Sequence, residues 1–272
     1  MKIKSNLKTY LPFATNVFQR KLSYRADAII FILGNAVMLA VTYYLWKAVY
    51  SSSTSKMING FSLDEMTIYI LMSFITSVVI SASMIHEMYR EVKDGSIAIN
   101  LIRPISYEKR MIFQGIGNVA YNFVVIFTVS FILITILYYK FSGTINIFNI
   151  LFYLITTILG MFINLYYNYA FGLLSFKITN MWGLTQIMGA VSELLSGTLI
   201  PIVFFPKAIQ WMFNFLPFSS MIYTPTMIYL GKITGFELIK AVSVQIAWLV
   251  ILIVISRVMW NTMIKKITIL GG

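Results

Sequence analysis

Residues 111–139 read MIFQGIGNVAYNFVVIFTVSFILITILYY, a stretch without one charged side chain. At about 1.5 Å of rise per residue it exceeds what a hydrocarbon core of roughly 30 Å requires, so it predicts a membrane-crossing helix with length to spare for tilt. Charge-free runs recur on both sides of it. Ala28 to Trp46 and Met66 to Ile85 precede it. After it come Phe141 to Phe176, whose span we place at residues 148–172, then Trp182 to Ile200, interrupted only by Glu193, and a last run centred on Ala241 to Ser256 and reaching Trp260. The pattern predicts an all-α integral membrane protein with six transmembrane helices.

Composition agrees with the runs. Hydrophobic residues make up 59% and charged residues 11% of the 272, with a mean hydropathy of +0.82. Soluble domains carry about 25% charge, so an ordinary globular chain, a disordered one, a collagen and a coiled coil are all excluded. The net charge of +12 would suggest nucleic acid in a soluble protein. Here basic residues flank apolar runs and serve topology and lipid headgroups instead, so we expect membrane lipid and no nucleic acid as partner. Fifteen of the 21 Lys and Arg fall in the amino-terminal segment, the loop after the second run, Lys177 and the tail; six fall on the other side. The positive-inside rule then expects both termini in the cytoplasm, which an even span count also requires. Cysteine is absent, which removes disulfides, thiolate metal sites and Cys nucleophiles. The first 25 residues hold six basic residues and no compact apolar core before a cleavage site, so no cleaved signal peptide is expected.

Three segments are not simple spans. Within residues 1–25, Leu7, Leu11, Ala14, Phe18 and Leu22 keep helical spacing while Asn16, Gln19, Arg20 and Ser23 take the other side. That reads as an amphipathic helix lying in the membrane interface, the alternative being a helix packed on protein. The remainder, 26–272, is the transmembrane domain. Its loop 86–110 concentrates charge around a small apolar island, Ser96 to Ile102, bounded by Gly95 and Pro104. In it Ile97 and Leu101 share a face, as do Ala98 and Ile102. Two turns of apolar helix on a charged loop can dock in a groove on another protein or pack into a solvated loop; composition leaves both open. The region 198–235 holds Pro201, Pro206, Pro217 and Pro225 among Phe204, Phe205, Trp211 and Phe215. Its apolar pieces are too short to span and suit re-entrant helices on the outer side, the alternative being a loop lying on headgroups.

Four stretches together resemble a family. They are Tyr24-Arg25-Ala26-Asp27 with Trp46-Lys47-Ala48-Val49-Tyr50; Gly95-Ser96-Ile97-Ala98 through Leu101-Ile102-Arg103-Pro104-Ile105; Ser192-Glu193-Leu194-Leu195-Ser196-Gly197 through Pro201 and Phe204-Phe205-Pro206; and Leu216-Pro217-Phe218 with Tyr229-Leu230-Gly231. In this order the chain resembles ABC-2-type permeases, the membrane subunits of ABC exporters, and looks closest to the bacterial paired-permease subfamily. The resemblance implies six helices, an amino-terminal interfacial helix and outer re-entrant helices. It also implies a coupling helix formed by Ser96, Ile97, Ala98, Leu101, Ile102 and Arg103. The implied partners are a nucleotide-binding ATPase subunit, which binds ATP and Mg, and a second permease, identical or similar. The implied location is the bacterial cytoplasmic membrane; the expected partner in transport is an amphiphilic or hydrophobic export substrate, and the sequence leaves drug, peptide, lipid and glycan open.

The chain itself carries no phosphate-cradling G-x-x-x-x-G-K-[ST]; Gly231-Lys232-Ile233 lacks the hydroxyl after Lys. His86-Glu87-Met88-Tyr89-Arg90 starts like a zinc-protease helix but has Arg where the second ligand belongs, so His86 reads as a residue at headgroup level. We expect no catalytic residue, metal or cofactor in this chain. Glu193 is the informative charge, because a carboxylate within a span tends to face a cavity or a bundle interior. With Gln186 and Ser196 it is assigned to pathway lining or subunit contact; a proton-coupled secondary transporter using Glu193 is the alternative.

Overall fold

The computed structural model describes residues 7–23, 25–82, 84–142, 144–178 and 180–266. Expectations resting on residues 1–6, on Gly143 and on the side chains of 24–27 lie outside it. Among the described residues the chain is predominantly helical and has no strand, only an isolated antiparallel bridge between Ile58 and Phe61.

Helix α1 (Leu11–Ser23) is followed by α2 (Arg25–Ser52) and α3 (Leu63–Ile80). A capping box starts α3: Ser62 Oγ accepts from the Glu65 amide at 3.2 Å while Glu65 accepts from the Ser62 amide at 2.9 Å. Two short helices follow, α4 (Met84–Lys93) and α5 (Ser96–Ile102), separated by Gly95 in the left-handed region at φ 75°. Then α6 (Tyr107–Asn122) runs through a π-helical turn, Phe123–Phe127, into α7 (Thr128–Ser142). Asn146 caps α8 (Ile147–Gly172), matching the expected 148–172. Helix α9 (Trp182–Leu195) leads to α10 (Lys207–Phe215), α11 (Pro217–Met221) and α12 (Tyr223–Tyr229), and α13 (Gly235–Met263) closes the fold.

Among the described residues four stretches are long and apolar enough to cross a membrane: Leu63–Lys93, which joins α3 and α4, Tyr107–Ser142, Ile147–Phe176 and Gly235–Met263. Two expected spans differ in form. The second run breaks after Ile80 instead of continuing through Ile85. The fifth is helical only to Leu195, a length of 14 residues or about 21 Å. It stops because Gly197 takes a left-handed turn (φ 77°), and the chain beyond is tied to α3 by Tyr69 Oη, which donates to Gly197 O at 2.6 Å, and Ser73 Oγ, which donates to Thr198 O at 3.2 Å.

Packing forms three clusters. Trp46, Phe61, Tyr69, Tyr153, Phe213 and Tyr229 anchor the first, at the end that carries α10. Met88, Ile97, Met111, Tyr169, Leu173 and Phe176 anchor another at the end that carries α5. Ile80, Ile163, Phe218, Met221, Ile222 and Leu252 lie in a third. Helix α1 packs on α6 at the α5 end through Tyr10, Ala14 and Val17, where a methyl added to Gly117 would collide with the Ala14 carbonyl. Tyr10 Oη accepts the Ser106 amide at 2.9 Å. The stripe read from sequence therefore divides: Ala14 faces protein, while Leu7, Leu11 and Leu22 are exposed.

Candidate functional site

A cavity of about 460 Å³ opens between α2, α3, α4, α8 and α9. Its walls are apolar at Met38, Phe74, Met188 and Met221 and polar at Ser77, Tyr167, Asn168, Ser192 and Glu193. The polar groups come from different helices for local reasons. Asn164 and Asn168 lie one turn apart on α8, Asn168 Nδ2 donating to Asn164 Oδ1 at 2.9 Å and to its carbonyl at 2.8 Å. Ser192 on α9 donates to Tyr167 Oη at 3.4 Å. Among the described residues the Glu193 carboxylate has no hydrogen-bond or ion-pair partner. A chamber of this kind suits a molecule with an apolar body and a few polar groups.

Of the three residues assigned to pathway or subunit contact, the cavity brings Glu193 and Ser196 together, whereas Gln186 is exposed on α9 away from it. Ser196 is buried, donating to Glu193 O at 3.1 Å and sharing a 2.8 Å hydrogen bond with Thr198. Asn164, Asn168 and His86 are lining residues that the sequence reading missed. The Asn164-x-x-x-Asn168 spacing within an apolar run was the signal for two of them. Helix α9 buries none of its residues, and Trp182 and Ile187 are exposed along it.

Helix α5 is built as a braced platform. Asp94 Oδ1 accepts the Ser96 hydroxyl at 2.6 Å and amide at 3.0 Å, and the Ser96 hydroxyl bond foremost holds the Asp94 carboxyl below the usual carboxylate range. Ile97 is fully buried and Leu101 packs beside it, with Ser96 and Ala98 half-buried. The opposite face presents Ile99 at 60% and Ile102 at 82% exposure, followed by exposed Arg103. The expected coupling residues thus separate into anchors and presented groups, and Ile99, three residues before Ile102, joins the second set.

Behind the platform lies a buried ion pair. Arg110 Nη2 reaches Glu91 Oε1 at 2.8 Å and Oε2 at 2.6 Å, and Tyr107 Oη donates to Glu91 Oε2 at 3.0 Å. The Arg110 guanidinium sits 4.8 Å from the Tyr107 ring centre, and that ring stacks on Trp260 of α13 at 5.3 Å.

At the far end, Phe204 meets Trp46 at 4.8 Å and Phe205 meets Phe213 at 5.0 Å between ring centres. Pro201 is buried, Pro206 precedes α10 and Pro217 opens α11. Helices α11 and α12 are short and buried against α8. There Gly160 lets the Met221 carbonyl approach to 2.7 Å of where a Cβ would stand, and the Gln245 amide donates to Thr156 O at 3.0 Å and Ser220 O at 2.7 Å.

A search of curated proteins finds no match to this chain. A family model described as ABC-2 family transporter protein matches residues 36–271, which takes in the cavity, the α5 platform and the short helices at the far end. The chain therefore belongs to the ABC-2 family, whose members are multi-pass membrane subunits of ABC transporters.

Proposed function

We propose that this chain is the permease subunit of an ATP-driven exporter in the bacterial cytoplasmic membrane, with six spans and both termini in the cytoplasm. The exposed Ile99–Ile102–Arg103 face on a helix braced from behind is the observation that carries the reading. An apolar face kept at the surface by a fully buried neighbour suits a groove on another protein. The partner in this reading is a nucleotide-binding subunit, which binds ATP and Mg and whose closure pushes α5. The α2 and α9 sides of the cavity leave room for a second permease, identical or similar, to complete a pathway. Helices α10 to α12 act as the re-entrant element of the outer side, and α1 lies on the cytoplasmic leaflet through Leu7, Leu11 and Leu22. The substrate is amphiphilic or hydrophobic, matched to the mixed wall of the cavity.

Co-expression with neighbouring genes and mild-detergent purification is expected to return a stoichiometric ATPase subunit with ATP-hydrolysing activity. A chain that purifies alone would end this reading. Glu193 and His86 line the same cavity, and that observation favours the second reading, a proton-coupled transporter. Glu193→Gln is expected to reduce ATP-driven transport roughly three- to tenfold, the scale of one ordinary hydrogen bond to the substrate, about 0.5–1.5 kcal/mol, with assembly intact. Transport driven by a proton gradient without ATP, and abolished in Glu193→Gln, would replace the exporter by the second reading.

A further inference from the structure

The two helical segments that carry the α5 end are interrupted beside each other. Helix α3 stops at Ile80, Ser81 is extended (φ −63°, ψ 136°), and α4 begins at Met84. Neither proline nor glycine occurs from Met66 to Met84 to account for the break. In the neighbouring segment α6 gives way after Asn122 to the π-helical turn, where Thr128 Oγ1 donates to Phe123 O at 2.9 Å.

Two asparagine side chains hold the break. Asn122 Nδ2 donates to Val78 O at 2.8 Å and to Ser81 Oγ at 3.2 Å, so it links the end of α3 to the start of the π turn. Asn164 Nδ2, from α8, donates to Ile80 O at 2.6 Å. These carbonyls belong to the last turn of α3; Val78 O also accepts from the Ser81 amide at 3.3 Å and hydroxyl at 2.8 Å, whereas Ile80 O is met by Asn164 and would be costly if left bare in an apolar setting. The two amides therefore stabilise a helix that ends here over one that continues. Helix α8 runs unbroken from Ile147 to Gly172.

On the α5 side of the break, α4 and α6 are joined by the Glu91–Arg110 pair and by Met88 and Met111 of one cluster, with Ile97 of α5 in the same cluster. Cavity residues lie on both sides of it: Phe74 and Ser77 before, Ile85 and His86 after. We propose that Asn122 and Asn164 are positioning residues that hold a flexure at Ser81–Ala82, about which α4, α5 and α6 turn as one lever and carry Ile85 and His86 in the cavity wall. The inference rests on the exporter reading for the force on α5 and adds where the chain yields to it.

This chain has no cysteine, so cysteine pairs introduced into it can be labelled before assembly with no background from the chain itself. In the purified complex with its ATPase and second permease, spin labels replace Lys93 and Lys140, spanning the flexure, or Lys93 and Lys109, within the lever. Trapping the ATP-bound state is expected to shift the first distance and leave the second unchanged. Asn122→Leu and Asn164→Leu, similar in size but without a donor, are expected to lower transport per ATP hydrolysed by about tenfold, and Asn122→Leu, at a position outside the cavity wall, to keep the yield and basal ATPase rate of the parent. Parental transport per ATP in both variants overturns the proposal, as does a loss that only tracks the amount of assembled complex. Should these variants fail to assemble, the label pairs decide: an unmoved 93–140 distance, or a 93–109 distance that moves with it, overturns the lever. A preparation without an ATPase subunit overturns the exporter reading and this one together, whereas an assembled, ATP-hydrolysing complex with no movement overturns only this one.

Discussion

Arg110→Met is expected to cost about 3–5 kcal/mol of stability, because it leaves the Glu91 carboxylate buried with no cation beside it. Both side chains of the pair are almost inaccessible, at 5% and 7% exposure, so solvent cannot take over the lost contacts. Tyr107 would remain as one donor to Glu91, too little to hold a full charge away from water. Glu91→Leu with Arg110→Met removes both charges at once, and a well-packed apolar pair of similar volume is commonly neutral or better. The double variant is therefore expected to melt close to the parent, and the single variant well below it, in thermal unfolding of the detergent-solubilised protein. Equal losses in the single and double variants would show that packing against Tyr107 and Trp260, and not the paired charge, is what Arg110 contributes. The parental melting temperature in Arg110→Met would remove the pair from any account of how α4 is fastened to α6.

The pair also marks where sequence reading runs out. Glu91 and Arg110 stand among nine charges in one loop, and nothing in their spacing separates them from solvated neighbours such as Arg90 and Lys93, both exposed. Their burial depends on Tyr107, Phe176 and Trp260 converging from three helices, a long-range fact with no local signature. The long helices were legible for the opposite reason. A charge-free run of membrane length is a local property, and the expected 148–172 against the observed Ile147–Gly172 shows how closely it can be located. The break after Ile80 was not legible, since neither Pro nor Gly marks it and the amides that bond there come from 41 and 84 residues further along the chain.

The candidate site divides in the same way. Glu193 could be singled out because one carboxylate in an apolar run is conspicuous, and the structure lines the cavity with it. Gln186 carried no such cost in the same run, and helical phase puts it away from the cavity. On α5 the island Ser96 to Ile102 was visible as composition, but which of its faces is free depends on what α4 and the tight helical turn Leu173–Phe176 after α8 bring against it. Ile97 and Leu101, paired on one face by spacing, are the side that packs.

That division gives the most direct test of the coupling surface. Ile99→Glu with Ile102→Glu is expected to abolish co-purification of the ATPase subunit while leaving this chain inserted and folded. Both side chains are largely in solvent in the isolated chain, so the change removes few internal contacts and adds charge where water can reach it. In a docked complex the same positions would be covered, and each isoleucine would contribute about 1.5–3 kcal/mol by burial. Losing both lowers affinity by roughly a hundredfold to ten-thousandfold before any cost of desolvating two carboxylates is counted. Ile97→Ala provides the contrast. Ile97 is fully buried, so its truncation is expected to cost about 2–5 kcal/mol of the chain's own stability and to weaken partner recovery only in proportion to the folded fraction. The measurement is the ratio of ATPase subunit to permease in the eluate, alongside the melting temperature of the permease alone. A parental ratio in the double variant would exclude the exposed face of α5 as the docking surface. A ratio that falls together with the melting temperature would assign Ile99 and Ile102 to the fold itself.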